Sequence, residues 1–332
     1  MSATLRLEVH RITLETKVRG ERGKRDHYDQ CNFDVLLSEF DKDKAIALAK
    51  FWTKFVEYFQ GEFLTNTSLD KAITITNKEL YIVASERNTI NGEVSGGPTN
   101  REQIIFKRKD AQSKVGNVAD DDVVSSRFYI KLWLPCDYTS GILMIQSYSN
   151  SNVSDLIKDH LKKFIQNKQY RVQISSYFPK SLEEKRSKHS EIVSVTYVKD
   201  KISKDKRKLL NPMFAEFEDL SVKIVVSGFK KPVKDFWKNF KKDGRALSTD
   251  IDALDIKQDE DINVLAKYKD ANGRSSTFKF DEERLRDFSY IYLPEEIKIE
   301  GKNMYDFEKL TEHTDSILES IKEDIGYIKN KK

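Results

Sequence analysis

From Leu5 to Leu14 apolar and polar side chains alternate, with Leu5, Leu7 and Val9 in one phase and Ile12 and Leu14 in the other. A period of two predicts extended chain, and the change of phase predicts a strand pair or one long strand broken near Arg11. RGERGKRDHYDQ is polar, basic and interrupted by glycines, which predicts a mobile loop, and CNFDVLL reads as the next strand. From Asp41 the period changes. Ala45, Leu48, Ala49, Trp52, Phe55, Val56 and Phe59 fall at steps of three and four, which predicts an amphipathic helix with Asp41 as cap and Gly61 as stop.

Short strand-like runs follow: ITIT, LYIVAS, QIIFK, RFYIKLWL and ILMIQSY, separated by turn residues, a spacing that predicts an antiparallel meander. SNVSDLIKDHLKKFIQ predicts a helix with Val153, Leu156, Ile157, Leu161 and Phe164 inward. YRVQISSYF and EIVSVTY read as strands around a short charged helix, PKSLEEKRSK, and LSVKIVVSGF opens a second set of elements. The C-terminus reads as a helix from Asp306 to Ile328 with Phe307, Leu310, Ile317, Ile321 and Ile328 on one stripe. Strands clustered between single helices predict an α+β fold: a largely antiparallel sheet with flanking helices and a smaller second α+β domain.

The length of 332 residues fits two domains better than one core. The expected division is an N-terminal domain over 1–198, a basic linker over 199–211, and a C-terminal domain over 212–332 that ends in the amphipathic helix. Charged residues at 34 % and aromatic ones at 11 % describe a chain that folds rather than a disordered one. No run reaches the roughly 18 apolar residues that cross a bilayer, and MSATLRLEVHR lacks the apolar core of a secretory signal, so the expectation is a cytoplasmic protein without a membrane partner. Cys31 and Cys136 are too few for a disulfide framework or a cysteine-based zinc site, and the expectation is reduced, structural thiols.

The net charge of +4 is small, but its distribution is uneven: residues 199–245 hold fourteen Lys or Arg against seven Asp or Glu, and residues 246–332 hold fourteen against twenty-one. Such polarity points to a charged partner or to attraction between segments of the chain. Within GFKKPVKDFWKNFKKDGR, a helix begun at Pro232 and ended at Gly244 would place Val233, Phe236, Trp237 and Phe240 on one face. Lys231, Lys234, Lys238, Lys241 and Arg245 would form a second stripe at steps of three and four. The aromatic face suits core packing; the basic stripe repels itself and must be neutralised by DIDALDIKQDEDIN, met by phosphates, or left solvated. Lys230, Lys231, Lys234, Lys238, Lys241, Lys242 and Arg245, with Lys204, Lys206, Arg207 and Lys208 upstream, are therefore the candidate contacts to DNA or RNA.

A second candidate surface is RFYIKLWL, where Arg127, Tyr129, Lys131 and Trp133 share one strand face. On an open sheet such residues stack bases and hold phosphates, whereas under a helix or in water they form an ordinary amphipathic strand.

Specific chemistry is sparse. GEVSGGPTN lacks the Lys and Ser or Thr of a phosphate loop and reads as a hairpin turn, and GxGxxG, HExxH, GxSxG and CxxC are all missing. The five histidines, at 10, 27, 160, 189 and 313, include no close helical pair, and His160 reads as a core-margin residue. Arg22 and His27 match an R-x4-H spacing, but within a glycine-rich loop. Glu296 with Lys298 and Glu300 with Lys302 offer the acid and lysine of a metal-dependent nuclease at a spacing common in Glu- and Lys-rich chains. The acidic runs at Asp120–Asp122 and Asp250–Asp261 lack the glycine and terminal Glu of a calcium loop.

The sequence thus assigns no catalytic residue, metal or cofactor. The expectation is an accessory protein that binds nucleic acid or a nucleoprotein partner, for which bacterial antiviral defence is a fitting setting. The competing expectation is a structural or regulatory protein, a homo-oligomer or one bound to another protein, acting through paired basic and acidic segments, and a metal-dependent nuclease is the third.

Overall fold

The computed structural model describes residues 4–20, 25–66, 70–76, 80–99, 103–107, 110–119, 122–149, 151–166, 169–200, 202–232, 262–269, 275–279 and 290–327. The chain is α+β and divides into two compact units, Met1–Phe178 with Ser289–Lys332, and Pro179–Phe288. The chain therefore leaves the large unit after Phe178 and returns to it at Ser289, whereas composition had placed the division at 199–211 and kept 212–332 together.

The large unit opens with β1 (Leu5–Val18), β2 (His27–Cys31), α1 (Phe33–Leu37) and α2 (Lys44–Tyr58). It continues with β3 (Leu64–Asn66), β4 (Lys71–Thr74), β5 (Tyr81–Ala84), β6 (Thr89–Pro98), β7 (Gln103–Lys107), β8 (Asp110–Val118), β9 (Ser126–Trp133), β10 (Ser140–Tyr148), α3 (Ser154–Ile165) and β11 (Tyr170–Ser176). The small unit holds α4 (Lys180–His189), β12 (Glu191–Lys199), α5 (Lys204–Leu210), β13 (Val222–Pro232), β14 (Ile262–Lys269) and β15 (Ser275–Lys279). β16 (Ile291–Tyr292) and α6 (Phe307–Asp324) complete the large unit.

Its main sheet is antiparallel in the order β11-β1-β10-β9-β6-β4-β3, with β2 and β16 also on β1 and β5 on β6, while β7 and β8 form a separate ribbon. β1 runs unbroken through Arg11. Leu5, Leu7 and Val9 point to one side of the sheet and Ile12 and Leu14 to the other, and all five are buried. The change of phase needs no break because both faces are covered. Phe33–Leu37 is helical rather than extended, and Phe33, Leu36 and Leu37 bury at helical spacing. His27–Gln30, read as loop from its composition, is extended and with Cys31 pairs with β1.

α2 carries Leu48, Phe51, Trp52 and Phe55 into the core. Its cap is Asp43, which accepts from the Ala45 N–H at 2.9 Å, whereas Asp41 accepts from the Asp43 N–H at 2.8 Å and pairs with Lys50. α2 stops at Phe59, where Gln60 and Gly61 take positive φ. In α3 the buried residues include His160, whose Nδ1 lies 3.3 Å from the Tyr58 hydroxyl. No helix among the described residues is long and apolar enough to cross a membrane. Cys31 and Cys136 are free and half-buried, and burial raises both thiol pKa values.

The glycine-rich GEVSGGP is not a hairpin turn. It is the body of β6, and its glycines mark close approaches. A Cβ at Gly92 would stand 3.1 Å from the Trp52 ring, and one at Gly97 would stand 2.0 Å from the Val124 carbonyl oxygen. Backbone cannot move aside as a side-chain tip can, so Gly97→Ala should destabilise the large unit by about 1–3 kcal/mol. Gly116→Ala, where a Cβ meets nothing within 4 Å, should stay within about 0.5 kcal/mol of the parent. Equal denaturation midpoints for the two variants would contradict this.

Candidate nucleic-acid interface

The small unit is an antiparallel sheet in the order β13-β12-β14-β15. Alternation in EIVSVTYVK and INVLAKYK sends successive side chains to opposite faces, and antiparallel partners point the same way. Val195 and Tyr197 of β12 and Val264, Ala266 and Tyr268 of β14 are buried, which defines the inner face. A bulge between Ile192 and Ser194 keeps Ile192 buried as well.

The outer face carries different chemistry. Ser194 pairs with Ser227 and Lys267, and Thr196 with Val225 and Leu265. Lys267 and Lys269 pair with Thr277 and Ser275. Lys223, Val225, Ser227, Lys267, Lys269, Ser275 and Thr277 are all exposed. One carboxylate joins this row: Glu191, which pairs with Lys269 at one end of the face. Among the described residues the face therefore presents three ammonium groups and a bed of hydroxyls against one acid, a surface suited to phosphate oxygens rather than to base stacking, since none of these residues is aromatic.

Between β12 and β13 the chain forms α5, where the sequence suggested a linker or an exposed helix start. Lys204, Arg207 and Lys208 share one side of α5 at i, i+3 and i+4, with Lys204 and Lys208 exposed. Arg207 differs from them. It is 9 % exposed, and its Nε and Nη1 are buried without a hydrogen-bond partner. A guanidinium stays protonated, so an unpaired buried one is a standing electrostatic cost.

Of the other residues singled out from sequence, Lys230 and Lys231 lie at the end of β13, and Lys206 lies in α5; the side chains of these three are outside the described residues. Pro232 ends β13 rather than starting a helix, because the pairing with β12 extends to Glu191. Lys234, Lys238, Lys241, Lys242 and Arg245, and with them the expected aromatic face and the acidic segment, lie outside the described residues. Arg22, Asp120 and Asp121 do as well.

The β9 surface is corrected by the structure. Tyr129 and Lys131 are fully buried beneath α6, so neither reaches a base or a phosphate. Lys131 Nζ donates to Asp315 Oδ1 at 2.7 Å, Thr314 Oγ1 at 2.9 Å and the Thr311 carbonyl at 3.2 Å. The Tyr129 hydroxyl donates to Asn91 Oδ1 at 2.9 Å and lies 2.8 Å from Thr314 Oγ1. Burial pushes the Lys131 ammonium pKa down against the opposing pull of Asp315, and burial raises the Tyr129 phenol. Arg127 remains at the rim, its Nη1 3.6 Å from Glu93 Oε2, and Glu93 Oε1 accepts from the Tyr305 hydroxyl at 2.9 Å.

This network seats α6 on the sheet. Its cap is Asp306, which accepts from the Glu308 and Lys309 N–H groups, and Leu310, Ile317, Leu318 and Ile321 supply the apolar contacts. Ile328, assigned to the same stripe from sequence, lies outside the described residues. Beside the network is a cleft of about 410 Å³ lined in part by Arg87, Trp133, Asp315, Glu319, Lys322 and Tyr327. Its charges are paired: Arg87 with Asp315 at 3.9 Å and Lys322 with Glu319 at 2.7 Å.

Two further clusters bear on chemistry. Glu8 Oε1 accepts from Asn152 Nδ2 and Ser154 Oγ, each at 2.8 Å, and Glu8 Oε2 lies 3.4 Å from His10 Nε2. The serine proton points to the carboxylate and not to the imidazole, so the group lacks the serine-to-histidine order of a nucleophilic relay and instead ties the start of α3 to β1. The segment EEIKIEGK is not a strand bearing acid and lysine: Glu295–Ile297 is a 3-10 turn, Lys298 bridges to Tyr305, and Gly301 takes φ 71° in the loop between. Lys298 pairs with Glu295, while Glu296 and Glu300 are exposed.

Sequence reasoning missed the outer sheet face. The signal was present in the alternation of INVLAKYK, which places Lys267 and Lys269 opposite Ala266 and Tyr268. It missed the partners of Lys131 altogether, because Thr314 and Asp315 are distant in sequence. Compared with protein-family models, with curated proteins and with solved structures, the chain matches none of them.

Proposed function

We propose that the protein is an accessory factor that binds nucleic acid, alone or within a nucleoprotein, through phosphate contacts made by its small unit. The observation that carries this reading is the outer face of the β13-β12-β14-β15 sheet, where Lys223, Lys267 and Lys269 stand exposed among hydroxyl side chains with Glu191 as the acid at one end. The basic stretch from Lys230 to Arg245 begins at the end of β13 and adds positive charge to the same unit. Contacts of this kind supply affinity and position without reading sequence, which suits a protein whose specificity comes from a partner. Antiviral defence is a setting in which such an accessory factor would serve.

A salt titration tests the reading. Three lysines on duplex phosphates should give log affinity against log salt a slope of at least about −2.7, and the variant carrying K223E, K267E and K269E should flatten it by about three. The same titration on K234E, K238E and K241E together separates the downstream stretch from the sheet face. The substituted sheet lysines are exposed, so the fold should be retained, which circular dichroism checks. Equal affinity and slope in the parent and the sheet variant would remove the outer face from the reading.

A further inference from the structure

We infer that Arg207 is the centre of a phosphate seat, with Lys204 and Lys208 at its mouth. A buried arginine in a folded protein is paired with a carboxylate or coordinates an anion, because its charge cannot be discharged by losing a proton. Arg207 is 91 % buried by its 9 % exposure, yet its Nε and Nη1 have no hydrogen-bond partner. Those two nitrogens are N–H donors of a planar guanidinium, the group whose charge-assisted hydrogen bonds hold the oxygens of an anion.

The charge around Arg207 favours phosphate over a single carboxylate. Lys204 and Lys208 flank it on the same side of α5, both exposed, and neither forms an ion pair with a carboxylate of the described residues. Three cations within two turns exceed what one carboxylate neutralises and match a phosphate that carries one or two charges and several acceptor oxygens. Asp205, the acid within α5, lies at i+1 from Lys204 and so off this side of the helix.

The inference deepens the proposed function and rests on its premise that the small unit meets phosphates. The shared chemistry is a phosphate group, either within an oligonucleotide or free. Inorganic phosphate, compared with chloride at equal ionic strength, should slow hydrogen exchange in residues 202–211 and raise the melting temperature of the small unit by about 5 °C at saturation. Arg207→Met, which replaces an unpaired buried cation with an apolar chain of similar length, should melt no lower than the parent in chloride and lose the response to phosphate. Arg207→Lys keeps the charge without the fork, and should bind phosphate about tenfold more weakly, which keeps the inference testable if the methionine variant fails to fold.

Phosphate protection no greater than chloride protection in the parent, or a full phosphate response in Arg207→Met, would overturn the seat. Oligonucleotides with and without a 5′-phosphate distinguish the source of the ligand. Preference for the phosphorylated end, lost in Arg207→Met, supports the seat as part of a nucleic-acid interface. Phosphate protection without any oligonucleotide binding retains the seat as a site for free phosphate and rejects the proposed function. Oligonucleotide binding with no phosphate response at α5 does the reverse.

Discussion

Asp315→Ala should destabilise the large unit by about 3–5 kcal/mol, near the lower end because the carboxylate itself is one-third exposed. The loss comes from the partner left behind. Lys131 is fully buried, and its ammonium has one carboxylate within 2.7 Å, with Thr314 and the Thr311 carbonyl completing its hydrogen bonds. Without Asp315 the charge remains in a poorly solvated site with no carboxylate on its own strand, so the lysine pKa falls further below 10.5, the direction in which burial already moves it. A folded pKa depressed below the unfolded value means that the unfolded chain binds the proton more tightly. The deficit of the variant should therefore shrink as pH rises toward 10.5 and be fully felt below the depressed folded value. Lys131→Met should cost less, because Asp315 keeps partial hydration and Arg87 at 3.9 Å. The double variant Lys131→Met, Asp315→Leu should recover much of the single loss, since an apolar pair of similar volume needs no desolvation of charge. Denaturant titrations of the four proteins form the cycle, and additive losses would show that the pair is not coupled.

Trp52→Ala should cost a comparable 3–5 kcal/mol by emptying the centre of the α2 face. Trp52 is 1 % exposed, packs its ring toward Phe55 at 5.7 Å and Tyr81 at 6.2 Å, and fills the space that Gly92 leaves on β6. Trp52→Phe should cost far less, about 1.5 kcal/mol or below, for a specific reason. The indole Nε1–H is buried with no partner, so phenylalanine loses ring volume but also removes an unsatisfied donor. Similar midpoints for the alanine and phenylalanine variants would show that packing against Gly92 is not what holds α2 to the sheet.

These two variants bracket what could be read without coordinates. Trp52 was legible: its place in a run at steps of three and four marks it as buried whatever the helix packs on. The glycines that receive it were not, because GEVSGGP has the composition of a turn and becomes a strand only when Trp52, Ile73 and the Val124 carbonyl press on it. Lys131 shows the same limit from the other side. Its alternation with Phe128, Ile130 and Leu132 was plain, but an amphipathic strand with a polar face in water and one with a polar face under α6 have the same pattern. Arg207 was one basic residue among several in KDKRKLL, and nothing local distinguishes it from the exposed Lys204 and Lys208.

The sequence by itself determined the periods: which stretches extend, which coil into helices, and that the fold is α+β, because backbone geometry imposes repeats of two and of about 3.6 on any chain that buries one side. Only the tertiary structure decided which faces are covered. The pairing of β1 with β10 and of β9 with β6, and the return of α6 to the first sheet, are contacts between residues far apart in the chain. Burial, and with it the cost of every charge, is a property of those contacts, so it turned Tyr129 and Lys131 into part of the interior and left Lys223, Lys267 and Lys269 facing solvent.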